Sequence, residues 1–224
     1  MWWTFLILVI IIFILLRKTN WYKGFIGEWS VNRILKRIAQ SNGGLEMSDF
    51  MVKDHVSSSQ IDNILLTQKA LYVIEMKNYS GMIFGDIQQS KWTMTLKHVK
   101  KHRKKRKVYT KTFVSKHSFY SPVLQNQTHI KKLSGIISEK SLPVYNIVVF
   151  GKKAILKVSG TKKDTFIVSI KKLQKLINSL EYDLEKTLDL NHQMMLVDSL
   201  FNRNITDKLA RKSHVNKLKA KYHS

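Results

Sequence analysis

The chain has 224 residues, 44% hydrophobic and 24% charged, which fits one domain with an appendage and excludes a large multidomain machine. Two prolines and nine glycines exclude a fibrous or low-complexity protein, and the absence of cysteine excludes disulfide scaffolds, thiol nucleophiles and cysteine-ligated metals. Lys and Arg number 39 against 15 Asp and Glu, a formal net charge of +24, so the expected partner is a polyanion: nucleic acid or anionic lipid headgroups.

Residues 2–16 read WWTFLILVIIIFILL, with no charge and Thr4 as the sole polar interruption. Trp2, Trp3, Trp21 and Tyr22 bracket the run as interfacial aromatics do. A helix from Trp3 to Trp21 would rise about 27 Å, close to a bilayer core, so residues 1–20 are expected to form a transmembrane anchor. The run has no basic stretch before it and no small-residue cleavage site after it, which argues against a cleaved signal peptide. Arg17, Lys18 and Lys23 follow it, which by the positive-inside rule places the N-terminus outside and the soluble domain in the cytoplasm.

Past the anchor, residues 28–39 place Val31, Ile34, Leu35 and Ile38 at helical spacing, and Asn42-Gly43-Gly44 supplies a stop. Residues 51–56, 60–67 and 70–78 are short, rich in Ile, Leu, Val and Tyr, and read as strands. The last two are close enough for a hairpin turning at Gln68-Lys69, although that pair lacks the Asn-Gly signature of favoured turns. If Thr67 pairs with Ala70, Asp62 falls opposite Glu75, and alternation puts Lys77 on the same face, with Ile74 and Met76 on the other. Opposed carboxylates are destabilising unless compensated, and a divalent cation compensates them. Hard oxygen ligands suit Mg²⁺ or Mn²⁺, which can activate water and stabilise charge on a phosphoryl oxygen, with Lys77 placed to assist. The same three groups also suit a solvent-facing ion-pair ladder, and spacing alone leaves both readings open.

The run QID, then IEMKN thirteen residues after the aspartate, then SG, FG and Trp92, resembles the nuclease-related domain (NERD) family. GEW at residues 27–29 and SPVLQNQTHIKKL at 121–133 are similar to that family's first helix and later helical motif. The resemblance covers residues 24–140. It implies membership of the PD-(D/E)xK nuclease superfamily: an α/β (α+β) fold with a restriction-endonuclease-like αβββαβ core and a mixed sheet, here preceded by one transmembrane helix. It further implies phosphodiester hydrolysis dependent on Mg²⁺ or Mn²⁺, with Glu28, Asp62 and Glu75 as metal ligands, Lys77 completing the ExK pair, and Gln125 as the glutamine of the later helix. Ser121 departs from the family's usual asparagine before Pro122, and a long basic insertion follows Trp92.

That insertion reads as two strands, 91–97 and 107–114, joined by a basic tip. Residues 97–107 hold eight Lys or Arg and no acid, among them Lys100, Lys101, Arg103, Lys104, Lys105, Arg106 and Lys107. With Trp92 these are the candidate nucleic-acid contacts; the loop equally suits anionic lipid. Trp92, Tyr109 and Phe113 offer stacking surfaces, though aromatics in strands more often fill cores. Residues 123–137 read as a helix, 144–150 as a buried strand, 154–158 and 165–170 as further strands, and 172–184 as a helix. Asp183, Glu185 and Asp189 fit no metal-binding loop, and His129 and His192 stand alone. The expected organisation is an anchor at 1–20, a nuclease-like core at 21–150 containing the insertion, and a C-terminal extension at 151–224 with a basic tail. A membrane-anchored metal-dependent nuclease is the leading reading. The alternatives are a non-catalytic nucleic-acid-binding module and a polybasic scaffold on an anionic membrane.

Overall fold

The apolar N-terminal run forms helix α1 (Trp2–Leu16), and helix α2 (Asn20–Asn42) follows the basic pair Arg17 and Lys18. The computed structural model describes residues 2–16, 20–53, 57–104, 107–137, 139 and 141–212. Arg17, Lys18, Val56, Lys105, Arg106 and the basic tail beyond Lys212 lie outside the described residues. Helix α1 has 15 residues, about 22 Å at 1.5 Å per residue, short of the roughly 30 Å of a bilayer core. Among the described residues no helix is long and apolar enough to cross a membrane. The expected spanning helix over residues 1–20 is corrected accordingly: the described apolar helix is too short to span. Helix α2 ends at the expected signal, where Gly43 adopts a left-handed φ of 62° and the Gly44 N–H donates to the Ala39 carbonyl at 2.8 Å.

The remaining elements are β1 (Leu45–Lys53), β2 (Ser58–Leu66), β3 (Leu71–Lys77), β4 (Gly81–Asp86), β5 (Lys91–Lys104), β6 (Lys107–Tyr120), α3 (Pro122–Leu133), β7 (Val144–Phe150), β8 (Ala154–Ser159), β9 (Thr165–Ser169), α4 (Ile170–Asp183) and α5 (Leu190–Arg203). One mixed sheet has the order β1-β2-β3-β7-β9, antiparallel from β1 to β3 and parallel from β3 to β9. With α2 before it and α3 leading into β7, this sheet carries the expected αβββαβ succession, and the expected basic insertion lies in the hairpin of β5 and β6. A second sheet, β6-β5-β4-β8, continues it, since β4 and β8 follow β3 and β7 in the chain and pair in parallel as those strands do.

Alternation along β3 divides the core into layers. Tyr72, Ile74 and Met76 pack with Val31 and Leu35 of α2 and Leu173 and Ile177 of α4. Leu71 and Val73 belong to the opposite layer, with Phe50, Leu133 of α3 and Leu196 of α5. The face of Leu71 and Val73 is therefore the one on which Glu75 and Lys77 emerge, toward α3.

The β2–β3 hairpin turns at Gln68-Lys69 in the expected register, with Asn63 opposite Ile74 and Leu66 opposite Leu71. Thr67 replaces the missing Asn-Gly signal: its hydroxyl accepts the N–H groups of Lys69 and Ala70, both at 3.1 Å. Buried Glu181 of α4 then clamps the turn, accepting from the Thr67 hydroxyl at 2.8 Å and the Tyr72 hydroxyl at 2.6 Å.

Trp92 is fully buried, its indole stacked on Phe150 with centroids 6.3 Å apart and its Nε1 donating to the Asp86 carbonyl at 3.0 Å. It is a core residue, which removes it from the expected nucleic-acid contacts: at the hairpin base the sheet is covered, so an aromatic there packs inward. Gly85 makes room for it, since a Cβ at that position would lie 2.2 Å from Trp92 Cδ2. Trp92→Ala is expected to lower stability by about 3–5 kcal/mol, read as a shifted urea midpoint at unchanged slope. A loss below about 1 kcal/mol, the range of surface changes, would contradict this placement.

Candidate active site

Two strand ladders open around Asp62. Between β1 and β2 pairing runs through Ser48↔Asn63 and Phe50↔Ile61 but omits Asp49 and Asp62, and Asp49 takes a left-handed φ of 52°. Between β2 and β3 pairing stops at Asn63↔Ile74. With the β2 backbone drawn away, the Met76 N–H donates to the Asp62 side chain, Oδ2, at 2.8 Å. The carboxylate thus replaces a missing ladder partner and is held beside Glu75.

Glu75 is 1% exposed. Its Oε1 accepts from the Lys77 ammonium, which also donates to Gln125 Oε1 of α3 at 3.1 Å. Its Oε2 has no hydrogen-bond partner; His129 Nε2 lies 3.6 Å away, beyond hydrogen-bond length. Glu75 is buried and Asp62 and Lys77 are partly buried beside it, which does not fit a solvent-facing ladder. Helix α3 is bolted in place to present them: Ser121 caps it by accepting the Leu124 N–H at 3.4 Å, and Asn126 Nδ2 donates to the Val73 carbonyl at 2.7 Å and to Asn146 Oδ1 at 2.9 Å. Serine in place of the family's asparagine therefore still performs the capping.

The electrostatics follow from burial. Desolvation and the neighbouring Glu75 push the Asp62 carboxyl up to about 8, against the opposing pull of Lys77 and the Met76 N–H. For Glu75 desolvation acts upward too, but the Lys77 ammonium and His129 outweigh it and hold the carboxyl below its ordinary range. Lys77 is pulled down by desolvation and raised by more through Glu75 and Asp62, so it stays charged. The pair is asymmetric: burial and Glu75 hold the Asp62 carboxyl up, while Lys77 holds the Glu75 carboxyl down.

Glu28 lies on α2, next to Gly27, where a Cβ would meet Met76 Cε at 2.8 Å and Asn78 Cβ at 3.0 Å. Glycine lets the helix lie close on the end of β3. Desolvation and the charges of Asp49 and Glu75 raise the Glu28 carboxyl. Among the described residues, however, no three acidic or histidine side chains are arranged to hold an ion together. The structure brings together Asp62, Glu75, Lys77 and Gln125, and leaves Glu28 as an exposed neighbour that senses Glu75.

Two further residues belong to this neighbourhood without having been expected there. His129 lies one helical turn from Gln125, and that i,i+4 spacing was its only sequence signal. Asp49 had none, because it lies on a strand whose start was placed at residue 51; it is held by Gln60 Nε2 at 2.6 Å and ion-paired with Arg211. Asp189, set aside as a ligand, is the N-cap of α5, accepting the His192 N–H at 2.8 Å.

The family model of the nuclease-related domain matches residues 23–151. The chain belongs to the NERD family. The matched span of the NERD domain contains every residue of the cluster, from Glu28 to His129, together with the basic hairpin. A 29% identical relative, an uncharacterized protein of Bacillus anthracis, aligns over 202 residues, 90% of this chain and 86% of its own length. No solved structure matches this chain.

Lys100 is exposed on β5, while Lys101, Arg103, Lys104 and Lys107 lie on the paired strands β5 and β6. Pairing in that hairpin extends from Lys91↔Tyr120 to Lys104↔Lys107, so both strands are longer than the expected 91–97 and 107–114. Its base directly continues into the site, because Tyr120 precedes the α3 cap Ser121.

Proposed function

We propose that this NERD protein is a divalent-metal-dependent nuclease that hydrolyses phosphodiester bonds of DNA or RNA. The observation that carries the reading is buried Glu75 flanked by partly buried Asp62 and Lys77, with Glu75 Oε2 left without a hydrogen-bond partner. A buried carboxylate oxygen is costly when unpaired, and a hard cation satisfies it. The donor set suits Mg²⁺ or Mn²⁺, since Mg²⁺ is commonly held by one or two carboxylates and keeps several waters. Asp62 and Glu75 would hold the ion, with Glu28 as the neighbouring third carboxylate. When bound, it would supply a water of lowered pKa and Lewis-acid stabilisation of the phosphoryl oxygens.

The chain's own residues do the rest. Lys77 spends two of its three N–H donors on Glu75 and Gln125, and the third is available to orient water or to meet charge developing on a non-bridging oxygen. Gln125 fixes the ammonium from α3. Hydrolysis adds water across the P–O bond, leaving a phosphate monoester and a hydroxyl. The basic hairpin supplies sequence-independent attraction to the polyanion. The exposed apolar residues of α1, among them Trp2, Trp3 and Phe5, support attachment to a membrane. We place the domain in the cytoplasm, a reducing compartment with which the absence of cysteine agrees.

The test is turnover by the full chain on single- and double-stranded DNA and RNA, in Mg²⁺, in Mn²⁺ and in EDTA. At least one substrate is expected to be cut in metal and to stay intact in EDTA. A panel untouched in every condition would overturn the reading.

A further inference from the structure

The hairpin of β5 and β6 has two faces of different chemistry. Trp92, Met94 and Phe119 on one face cover the core at its base. Farther out that same face has nothing to cover, yet it remains aromatic. On that face His98 pairs with Phe113 and Lys100 with Lys111, and Tyr109 follows two residues farther along β6. The His98 and Phe113 rings stack at 4.8 Å and 14°. The Lys100 ammonium lies 5.4 Å from the centre of the Phe113 ring. Phe113 is 39% and Tyr109 55% exposed.

This arrangement works against stability. Like charges directly opposed across a ladder repel, as Lys100 and Lys111 are, and the surrounding sequence offers no acid, since the chain has no Asp or Glu from Ile87 to Ser138. Exposed rings interleaved with uncompensated cations match a ligand that carries both flat apolar faces and negative charge. Nucleic acid has both, but a duplex keeps its base faces inside and would use the lysines alone. Phe113 and Tyr109 stand four residues apart on β6, about 14 Å at 3.4 Å per residue and four times the 3.4 Å rise per nucleotide of a stacked strand. Bases reaching both rings must therefore be splayed, which a single strand permits.

We propose that this face of the hairpin is a binding platform for single-stranded nucleic acid, with Phe113 and Tyr109 stacking on bases and Lys100 and Lys111 meeting phosphates. It rests on the nuclease reading for its role, since it would deliver a single strand along the hairpin toward the base that leads into α3. Lys100 has a flexible stem and can leave the Phe113 ring for a phosphate when a base arrives.

The experiment is fluorescence anisotropy of the full chain in EDTA, where binding is read without cleavage, with labelled oligo-dT, oligo-U and a DNA duplex. Phe113→Ala and Tyr109→Ala change exposed side chains beyond the core, so the fold is kept. Each is expected to weaken single-strand binding about tenfold while leaving duplex binding and the salt slope unchanged. Lys111→Gln is expected to weaken both and to flatten the salt dependence. Unchanged single-strand binding in both aromatic variants would overturn the platform. So would a selective loss of binding to vesicles containing phosphatidylserine, which would make the face a lipid surface. The two readings separate cleanly: aromatic-dependent binding without cleavage in Mn²⁺ removes the nuclease and keeps the platform, whereas cleavage with normal binding by the aromatic variants does the reverse.

Discussion

Lys77→Met is expected to reduce metal-dependent cleavage by about a hundred- to a thousandfold, the scale of losing one preorganised donor to a developing oxyanion. The same change is expected to destabilise the fold by about 3–5 kcal/mol at neutral pH, because it strands the Glu75 carboxylate in the interior. Glu75 is 1% exposed and its second oxygen already lacks a hydrogen-bond partner. Adding Glu75→Gln to Lys77→Met is expected to restore much of the stability and none of the cleavage. Denaturant titration of the single and double variants reads the first effect and an oligonucleotide assay the second. If Lys77→Met alone left both stability and cleavage intact, Lys77 would be a solvated surface lysine.

Asp62→Asn is expected to move stability and activity in opposite directions. The Asp62 carboxyl titrates at 3.8 ordinarily and about 8 in the fold, raised by desolvation and by Glu75. The sign follows from proton linkage. At pH below 3.8 Asp62 is protonated in both states and its favourable contribution is fully present. Between 3.8 and about 8 only the unfolded chain releases the proton, so stability falls as pH rises. Asparagine removes that dependence and is expected to stabilise the metal-free protein at alkaline pH by about 1–4 kcal/mol, several degrees in melting temperature. Cleavage should be lost, since a neutral amide is a poor ligand for a hard cation. Melting curves across this pH range check the first outcome; a variant that melts lower than the wild type at alkaline pH contradicts it.

Much of the site was legible because strand geometry is strict. A hairpin closing between Thr67 and Ala70 leaves one register, and that register put Asp62 by Glu75 and sent Glu75 and Lys77 to one face. The strand at 144–150 was equally plain, an apolar run short enough to be a buried parallel strand. The parts that were not legible depend on partners distant in sequence. The first strand was expected at residues 51–56 but begins at Leu45, because Leu45 to Met47 pair with Leu66 to Ile64. Strand β4 escaped notice since its six residues include two glycines; Gly81 is left-handed, with φ 83°, and Gly85 serves the Trp92 indole. His129 and Asp49 enter the neighbourhood only when α3 is laid on β3 and β1 is aligned with β2. The helix α5 carried a readable cap at Asp189 and covers the Phe50 side of the sheet, yet its acid was weighed only as a possible ligand.

The asymmetric pair of carboxyls also gives the fold a reason for its opened ladders. Continuous pairing through Asp49, Asp62 and Glu75 would set three carboxylates in a row at cross-strand distance, where like charges repel. Interrupting both ladders at Asp62 lets its side chain turn to the Met76 N–H, while Asp49 is drawn to Arg211. What is retained beside Glu75 is a single second carboxyl, and two carboxylates suit a hard cation that keeps several waters.

The central claim is that phosphodiester cleavage proceeds at Glu75. The most direct measurement compares the full-length wild-type and Glu75→Gln chains, matched for folding by circular dichroism, on one end-labelled single-stranded oligonucleotide in Mn²⁺ and in EDTA. The account predicts cutting by the wild type in Mn²⁺ alone and none by Glu75→Gln in either condition. Equal cutting by the two proteins would contradict it.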